Sequence, residues 1–241
     1  MGTPITIEVV DARAKVGTIA DLFDYFTEID ERFSTYKPTS EIMQINRGEV
    51  LLADASSLMK EVFALAEKTK QKTNGYFDIM QPDGFIDPSG IVKGWAIFNA
   101  ANILRAQGYT NFYIDAGGDI ESAGVNEAGT AWSVGIKNPF KEDEIIKVLY
   151  PKGRGIATSG SYIRGSHIYN PHKPADDLSQ VVSLTVLGPN VLEADRFATA
   201  AFAMGQKGIS FIESLPGFEG YSIDDTGMAT FTSNFESFTT I

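Results

Sequence analysis

Phe112-Tyr113-Ile114-Asp115-Ala116-Gly117-Gly118-Asp119-Ile120-Glu121-Ser122-Ala123 reads as two short strands joined by a tight glycine link. Ala116 to Asp119 is expected to form a hairpin turn. No Gly-x-Gly-x-x-Gly follows a strand and opens a helix, so a dinucleotide-binding βαβ reading fails here. The pattern on either side decides the fold class. Upstream lie a strand at 5–10, a helix at 16–33, a short Ser-capped helical turn at 40–46, an amphipathic helix at 55–72 closed by Asn74-Gly75, a loop at 76–92 and an alanine-rich helix at 93–107. Downstream come strands at 132–137 and 145–150, and a loop-rich region bracketed by residues 156–161 and 167–171. A strand at 181–187, helices at 191–204 and 209–214 and a hairpin around Asp225-Thr226-Gly227 complete the chain. Strands and helices alternate without a regular βαβ rhythm, which points to an α+β fold occupying residues 1–241 as a single domain.

The 241 residues are 43% hydrophobic and 21% charged, values of a globular chain. The net charge of −11, without a run of five like charges, argues against a general nucleic-acid partner, because phosphate contacts need a basic face. There is no cysteine, which excludes disulfides, thiolate catalysis, thiolate zinc sites and lipid-modified cysteine. Two histidines, His167 and His172, are too few for a multi-histidine metal site. The start, Met1-Gly2-Thr3-Pro4-Ile5-Thr6-Ile7-Glu8-Val9-Val10, carries no basic segment and no apolar core of signal-peptide length. No stretch approaches the roughly 18 apolar residues of a membrane span. The expectation is a cytoplasmic protein without membrane insertion.

Three segments hold the candidate chemistry. Leu192-Glu193-Ala194-Asp195-Arg196-Phe197-Ala198-Thr199-Ala200 stacks Asp195 and Thr199 on one face of a mostly apolar helix. An acid there is costly unless neutralised. Two readings stand: an ordinary buried ion pair beside a threonine bonding its own backbone, or two hard oxygen donors for a small divalent cation such as Mg²⁺. Asp87-Pro88-Ser89-Gly90-Ile91-Val92-Lys93-Gly94-Trp95 enters a helix whose first turn is expected to carry Lys93 and Gly94. Free N–H groups and a lysine suit an anion there, and Gly90 and Gly94 allow backbone to approach a ligand. The plainer reading is a turn with an acidic residue at a helix start. The Walker spacing is absent. Ser159, Ser161, His167 and Asp176 supply hydrolase residue types, yet no Gly-x-Ser-x-Gly elbow is present. His167 near Tyr169 is a candidate general base or a structural histidine.

Taken in order, Met1-Gly2-Thr3, Phe33-Ser34-Thr35-Tyr36, residues 40–46, Gly75-Tyr76-Phe77-Asp78, residues 87–94, Gly117-Gly118-Asp119, Thr158-Ser159-Gly160, residues 167–171 and Ala194-Asp195 with Thr199 make the chain resemble one family nearly end to end. That family is ApbE, the FAD:protein FMN transferases. The resemblance implies mixed sheets flanked by helices in two closely packed lobes, related to the T-fold. It implies Mg²⁺ and FAD, and transfer of the FMN half of FAD to a threonine hydroxyl of an acceptor protein, a redox subunit or FMN-binding domain, with release of AMP. By the family pattern Asp195, Thr199 and the Gly90 carbonyl hold the metal, and Asp87 and Lys93 contact FAD. Met1, Tyr36, Tyr76, Phe77, Asp78 and Tyr169 line the flavin or adenine pocket, where aromatic and thioether groups suit a planar ring. His167 matches the histidine that the family pattern expects to deprotonate the acceptor threonine or to orient it. The alternatives are an Mg²⁺-dependent FAD pyrophosphatase yielding FMN and AMP, and a non-catalytic FAD-binding protein.

The chain departs from the family pattern in two places. The loop between Asp78 and Asp87 is shorter than in many members, which is expected to open the adenine side of the pocket. The family's Asp-Pro-x-Thr-Gly after the histidine reads Asn170-Pro171-His172-Lys173-Pro174, losing an acid and a glycine.

Overall fold

The structure, a computed structural model, describes residues 3–141, 143–160, 168–173 and 180–240. A seven-stranded sheet runs in the order β1-β2-β3-β6-β7-β8-β9, and β4 and β5 form a separate two-stranded sheet. The strands are β1 (Ile5–Val9), β2 (Phe112–Ala116), β3 (Asp119–Ala123), β4 (Val134–Lys137), β5 (Ile145–Leu149), β6 (Gly155–Gly160), β7 (Val181–Gly188), β8 (Glu219–Asp224) and β9 (Ala229–Phe231). Each pairing among these described strands is antiparallel. The helices are α1 (Val16–Phe33), α2 (Glu41–Asn46), α3 (Ser57–Lys72), α4 (Ser89–Ala106), α5 (Val191–Ala203) and α6 (Gly208–Glu213). This is the expected α+β class.

The decisive stretch folds as read. Ala116 faces Asp119 across a two-residue link in which Gly117 and Gly118 take φ of 64° and 94°. Side chains with a Cβ resist that left-handed pair, so glycine sets the hairpin. The Gly118 N–H closes the turn by donating to Asp115 Oδ1 at 2.7 Å.

The sheet separates two packing layers. Along β6, Ile156 packs with β4 and β5 in one buried cluster, whereas its neighbour Ala157 packs with α5 in another. Alternate strand residues face opposite sides, so the small sheet and α5 cover opposite faces. Helices α1 and α3 bury Leu22, Phe26, Ile29 and Phe33 of the first and Met59 and Val62 of the second against α4 and against Phe112 and Ile114 of β2. The α1 residues follow helical spacing, the reason that helix was legible. The Ser40 and Ser56 hydroxyls cap α2 and α3, accepting from the Met43 and Met59 N–H groups.

In α5 every residue except Glu193 and Thr199 is buried. A helix covered on all sides draws its stability from packing rather than from intrinsic propensity. Small residues permit that packing. A Cβ on Gly155 would lie 1.9 Å from the Val191 nitrogen, and one on Gly94 would lie 2.6 Å from Asp195 Cβ.

Two boundaries differ from the sequence reading. Helix α4 begins at Ser89, four residues before Lys93, because Asp87 Oδ1 accepts the Ser89 N–H at 3.0 Å and the Pro88 carbonyl accepts from Ile91 and Val92. Lys93 and Gly94 therefore sit in its second turn. Residues 155–160 form β6, an interior strand between β3 and β7. Gly155-Ile156-Ala157-Thr158-Ser159-Gly160 lacks a strand-like alternation, and pairing on both sides imposes the conformation instead. Among the described residues no helix is long and apolar enough to cross a membrane.

Candidate active site

Helix α5 lifts Asp195 and Thr199 one turn apart toward a cleft that α4, β6 and two loops complete. Its lining includes Tyr76, Phe77, Asp78, Asp87, Gly90, Lys93, Tyr169, Asp195 and Thr199. Nine of the residues singled out from sequence thus converge on one concavity from four separate segments. Thr199 Oγ1 donates to the Gly90 carbonyl at 3.3 Å, which joins α5 to the first turn of α4. The approach is tight: a Cβ on Gly90 would meet Thr199 Cγ2 at 3.1 Å and Phe77 Cε2 at 3.3 Å.

Beneath this surface lies a buried charge cluster. Asp195 Oδ2 accepts the Gly94 N–H at 2.7 Å. Lys93 Nζ pairs with Asp119 Oδ2 at 2.6 Å, and Asp119 Oδ1 accepts the Thr158 N–H at 3.1 Å. Asp119 has no solvent exposure. Burial, and next the neighbouring Asp119 carboxylate, push the Asp195 carboxyl up to about 8, against the pull of Lys93 and the Gly94 N–H. Two buried acids here share one lysine, so ionising both would leave negative charge in excess, which is why the Asp195 carboxyl holds its proton. A hard cation would neutralise that excess. Among the described residues no three acidic, histidine or cysteine side chains converge, so a metal held here must also draw on hydroxyl or main-chain oxygen. Asp195, Thr199 Oγ1 and the Gly90 carbonyl supply such a set.

The other expected residues fall as follows. Asp78 is held by Lys70 at 2.6 Å and accepts the Met80 N–H, so its carboxylate braces the cleft wall. Asp87 caps the start of α4 from within the lining. Tyr36 is 95% exposed and does not line the cleft, contrary to the expectation that it faces the flavin or adenine pocket. The turn at 34–38 leaves its ring in solvent. Met1 and His167 lie outside the described residues, as do Ser161 and Asp176. Gly94 approaches the Asp195 side chain rather than a ligand.

Sequence reasoning placed Gly117 and Asp119 in a hairpin turn but gave neither them nor Thr158 a role in the site. Asp119 anchors the lysine, and Gly117 and Thr158 line the cleft. Their signal was present only as members of the ordered motif set.

The chain matches the family model described as ApbE family over residues 1–83 and 80–221. A curated relative, the FAD:protein FMN transferase of Vibrio cholerae serotype O1, is 31% identical over 169 residues, 65% of this chain and 51% of the relative. The chain spans about half the length of such curated relatives. The solved flavin transferase ApbE from Vibrio cholerae superposes with a TM-score of 0.85 at 24% identity, covering 99% of this chain and 96% of that one. The ApbE protein from Thermotoga maritima gives 0.85 at 22% identity, covering 100% and 97%. At these identities the structures establish the shared fold.

Proposed function

As a member of the ApbE family, this chain, we propose, moves the FMN half of FAD onto a threonine hydroxyl of an acceptor protein and releases AMP. The acceptor is a redox subunit or FMN-binding domain carrying the target threonine. The observation that carries the reading is the convergence of Lys93, Asp195, Thr199 and the Gly90 carbonyl in a cleft walled by Tyr76, Phe77 and Tyr169. A planar ring system suits the aromatic wall, and a pyrophosphate accompanied by a hard cation suits a floor of oxygen donors with Lys93 beside them.

In the reaction the threonine oxygen bonds to the flavin-side phosphorus, the bond from that phosphorus to the bridging oxygen breaks, and AMP leaves with that oxygen. Asp195, Thr199 and the Gly90 carbonyl would hold Mg²⁺, whose chemistry when bound is to offset pyrophosphate charge and stabilise the leaving phosphate. Lys93, fixed by Asp119, adds positive charge to the floor of a strongly acidic protein. The tyrosines and Phe77 orient the donor. The family pattern assigns His167 to take the threonine proton, help typically worth about 10²–10⁴-fold.

The test incubates the protein with FAD, Mg²⁺ and a candidate acceptor, then reads the acceptor by intact-mass spectrometry and the solution for AMP and FMN. A covalent FMN adduct is the expected result. Free FMN and AMP without an adduct identify a pyrophosphatase, and unchanged FAD identifies a binding protein. Either outcome overturns the transferase reading.

A further inference from the structure

His172 occupies a position where the family pattern offers no functional residue, and its contacts are specific. Helix α3 ends in two consecutive left-handed residues, Asn74 with φ 51° and Gly75 with φ 80°. The Gly75 N–H bonds back to the Lys70 carbonyl at 2.8 Å, which fixes the turn. His172 Nε2 lies 2.8 Å from the Asn74 carbonyl. A carbonyl only accepts, so Nε2 carries the proton and donates. The imidazole also packs edge-on against Tyr76, with centroids 4.6 Å apart and planes at 72°. Its own backbone N–H donates to Asn170 Oδ1 at 3.0 Å, a turn that sets where the ring departs from the chain. At the other end of this segment the Tyr169 hydroxyl donates to the Met80 carbonyl at 3.4 Å.

These contacts join two walls. Tyr169 and Pro171 line the cleft from one segment, and Tyr76, Phe77 and Asp78 line it from the other. His172 itself is exposed and does not line the cleft. We propose that His172 is a positioning residue for dinucleotide binding: through the Asn74 carbonyl and the Tyr76 ring it fixes the spacing of the aromatic walls that receive a planar ring of FAD. The proposal rests on the FAD reading above. It also explains how an Asn-Pro-His-Lys sequence holds this loop after losing the acid and glycine of the family pattern.

The test measures FAD binding by flavin fluorescence, and KM and kcat for AMP release, in the wild type and in His172→Ala, His172→Phe and His172→Gln. His172→Ala is expected to weaken FAD binding about tenfold and raise KM in parallel, with kcat at saturating FAD within about twofold. His172→Phe keeps the ring contact and His172→Gln keeps a donor, so each should recover part of the affinity. Thermal melts matching the wild type exclude a folding effect, as expected for an exposed side chain. Wild-type affinity in His172→Ala overturns the proposal, and so does a fall in kcat at unchanged KM. A wild type that binds no FAD overturns the underlying reading instead.

Discussion

Asp195 and Arg196 are adjacent in α5, nearly equally buried at 5% and 3% exposure, and set in opposite environments. Arg196 Nη2 pairs with Glu193 at 2.6 Å, Nη1 donates to Thr69 Oγ1 at 2.9 Å, and its guanidinium lies 4.5 Å from the Phe197 ring centroid. Its Nε lacks an acceptor among the described residues, yet its charge is matched within one helical turn. Asp195 has instead a second acid, Asp119, for a neighbour, and shares Lys93 with it. The plain reading of the sequence, an ordinary ion pair around Asp195, is what α5 provides for Arg196. The acid one residue earlier has no counter-charge of its own at the edge of a cleft and holds its proton instead. Strain of this kind marks sites built for a ligand, whereas matched charge marks architecture.

The sharpest way to break that contrast is Asp195→Asn. If the acid serves a ligand, turnover of FAD should fall about a thousandfold, the scale of losing a main electrostatic contact to the transition state. Metal-free stability should move the other way. A carboxyl raised from near 4 to about 8 binds a proton more readily when folded, so wild-type stability falls as pH rises through that window. The asparagine variant escapes that loss. Urea melts of the metal-free protein at pH 8 should find Asp195→Asn at least as stable as the wild type, with the advantage vanishing near pH 4. A variant that unfolds while retaining turnover would place Asp195 with the architecture.

Arg196→Met tests the other half. Removing the guanidinium strands Glu193 and Thr69, and the expected cost is about 3 kcal/mol in urea melts. FAD affinity below the melting transition should stay at the wild-type value. A variant of normal stability that no longer binds FAD would dissolve the distinction between the two neighbours.

Gly94→Ala addresses what holds the strained side in place. The new Cβ would sit 2.6 Å from Asp195 Cβ and 2.9 Å from the Val191 carbonyl, contacts that two packed helices must relieve by moving apart. Overpacking of this kind costs about 2 kcal/mol, and the Gly94 N–H would lose its reach to Asp195 Oδ2. Urea melts and the Mg²⁺ dependence of turnover should both shift. An unchanged Mg²⁺ dependence would show that the acid needs no support from α4.

How much of this was written in the sequence depends on the range of each interaction. Local periodicity revealed α1 at its observed bounds, and Asp195 and Thr199 were correctly set on one helical face. Glu193 and Arg196 stand three residues apart and were equally readable as a pair. The companions of Asp195 were not, because Asp119 and Lys93 arrive from β3 and α4, and no local pattern encodes such a meeting. For the same reason β6 escaped notice: its small and polar residues become a strand only between β3 and β7. The start of α4 was missed because Pro88 and Gly90 read as loop residues, although proline suits the beginning of a helix. What gathered the cleft in advance was the resemblance, which links distant segments by their order.

The smallest effect is expected where the resemblance and the structure part. Tyr36 is an aromatic residue in a family motif, but it is 95% exposed and away from the cleft lining. A ring surrounded by water has almost no buried apolar surface to lose. Tyr36→Ala should therefore leave stability within about 0.5 kcal/mol of the wild type, and FAD affinity should follow suit. A pronounced loss of FAD affinity at unchanged stability would mean that the turn at 34–38 folds over the bound dinucleotide. Tyr36 would then join Asp195 among residues whose setting is completed by a ligand, and exposure alone could not separate a bystander from a wall of the site.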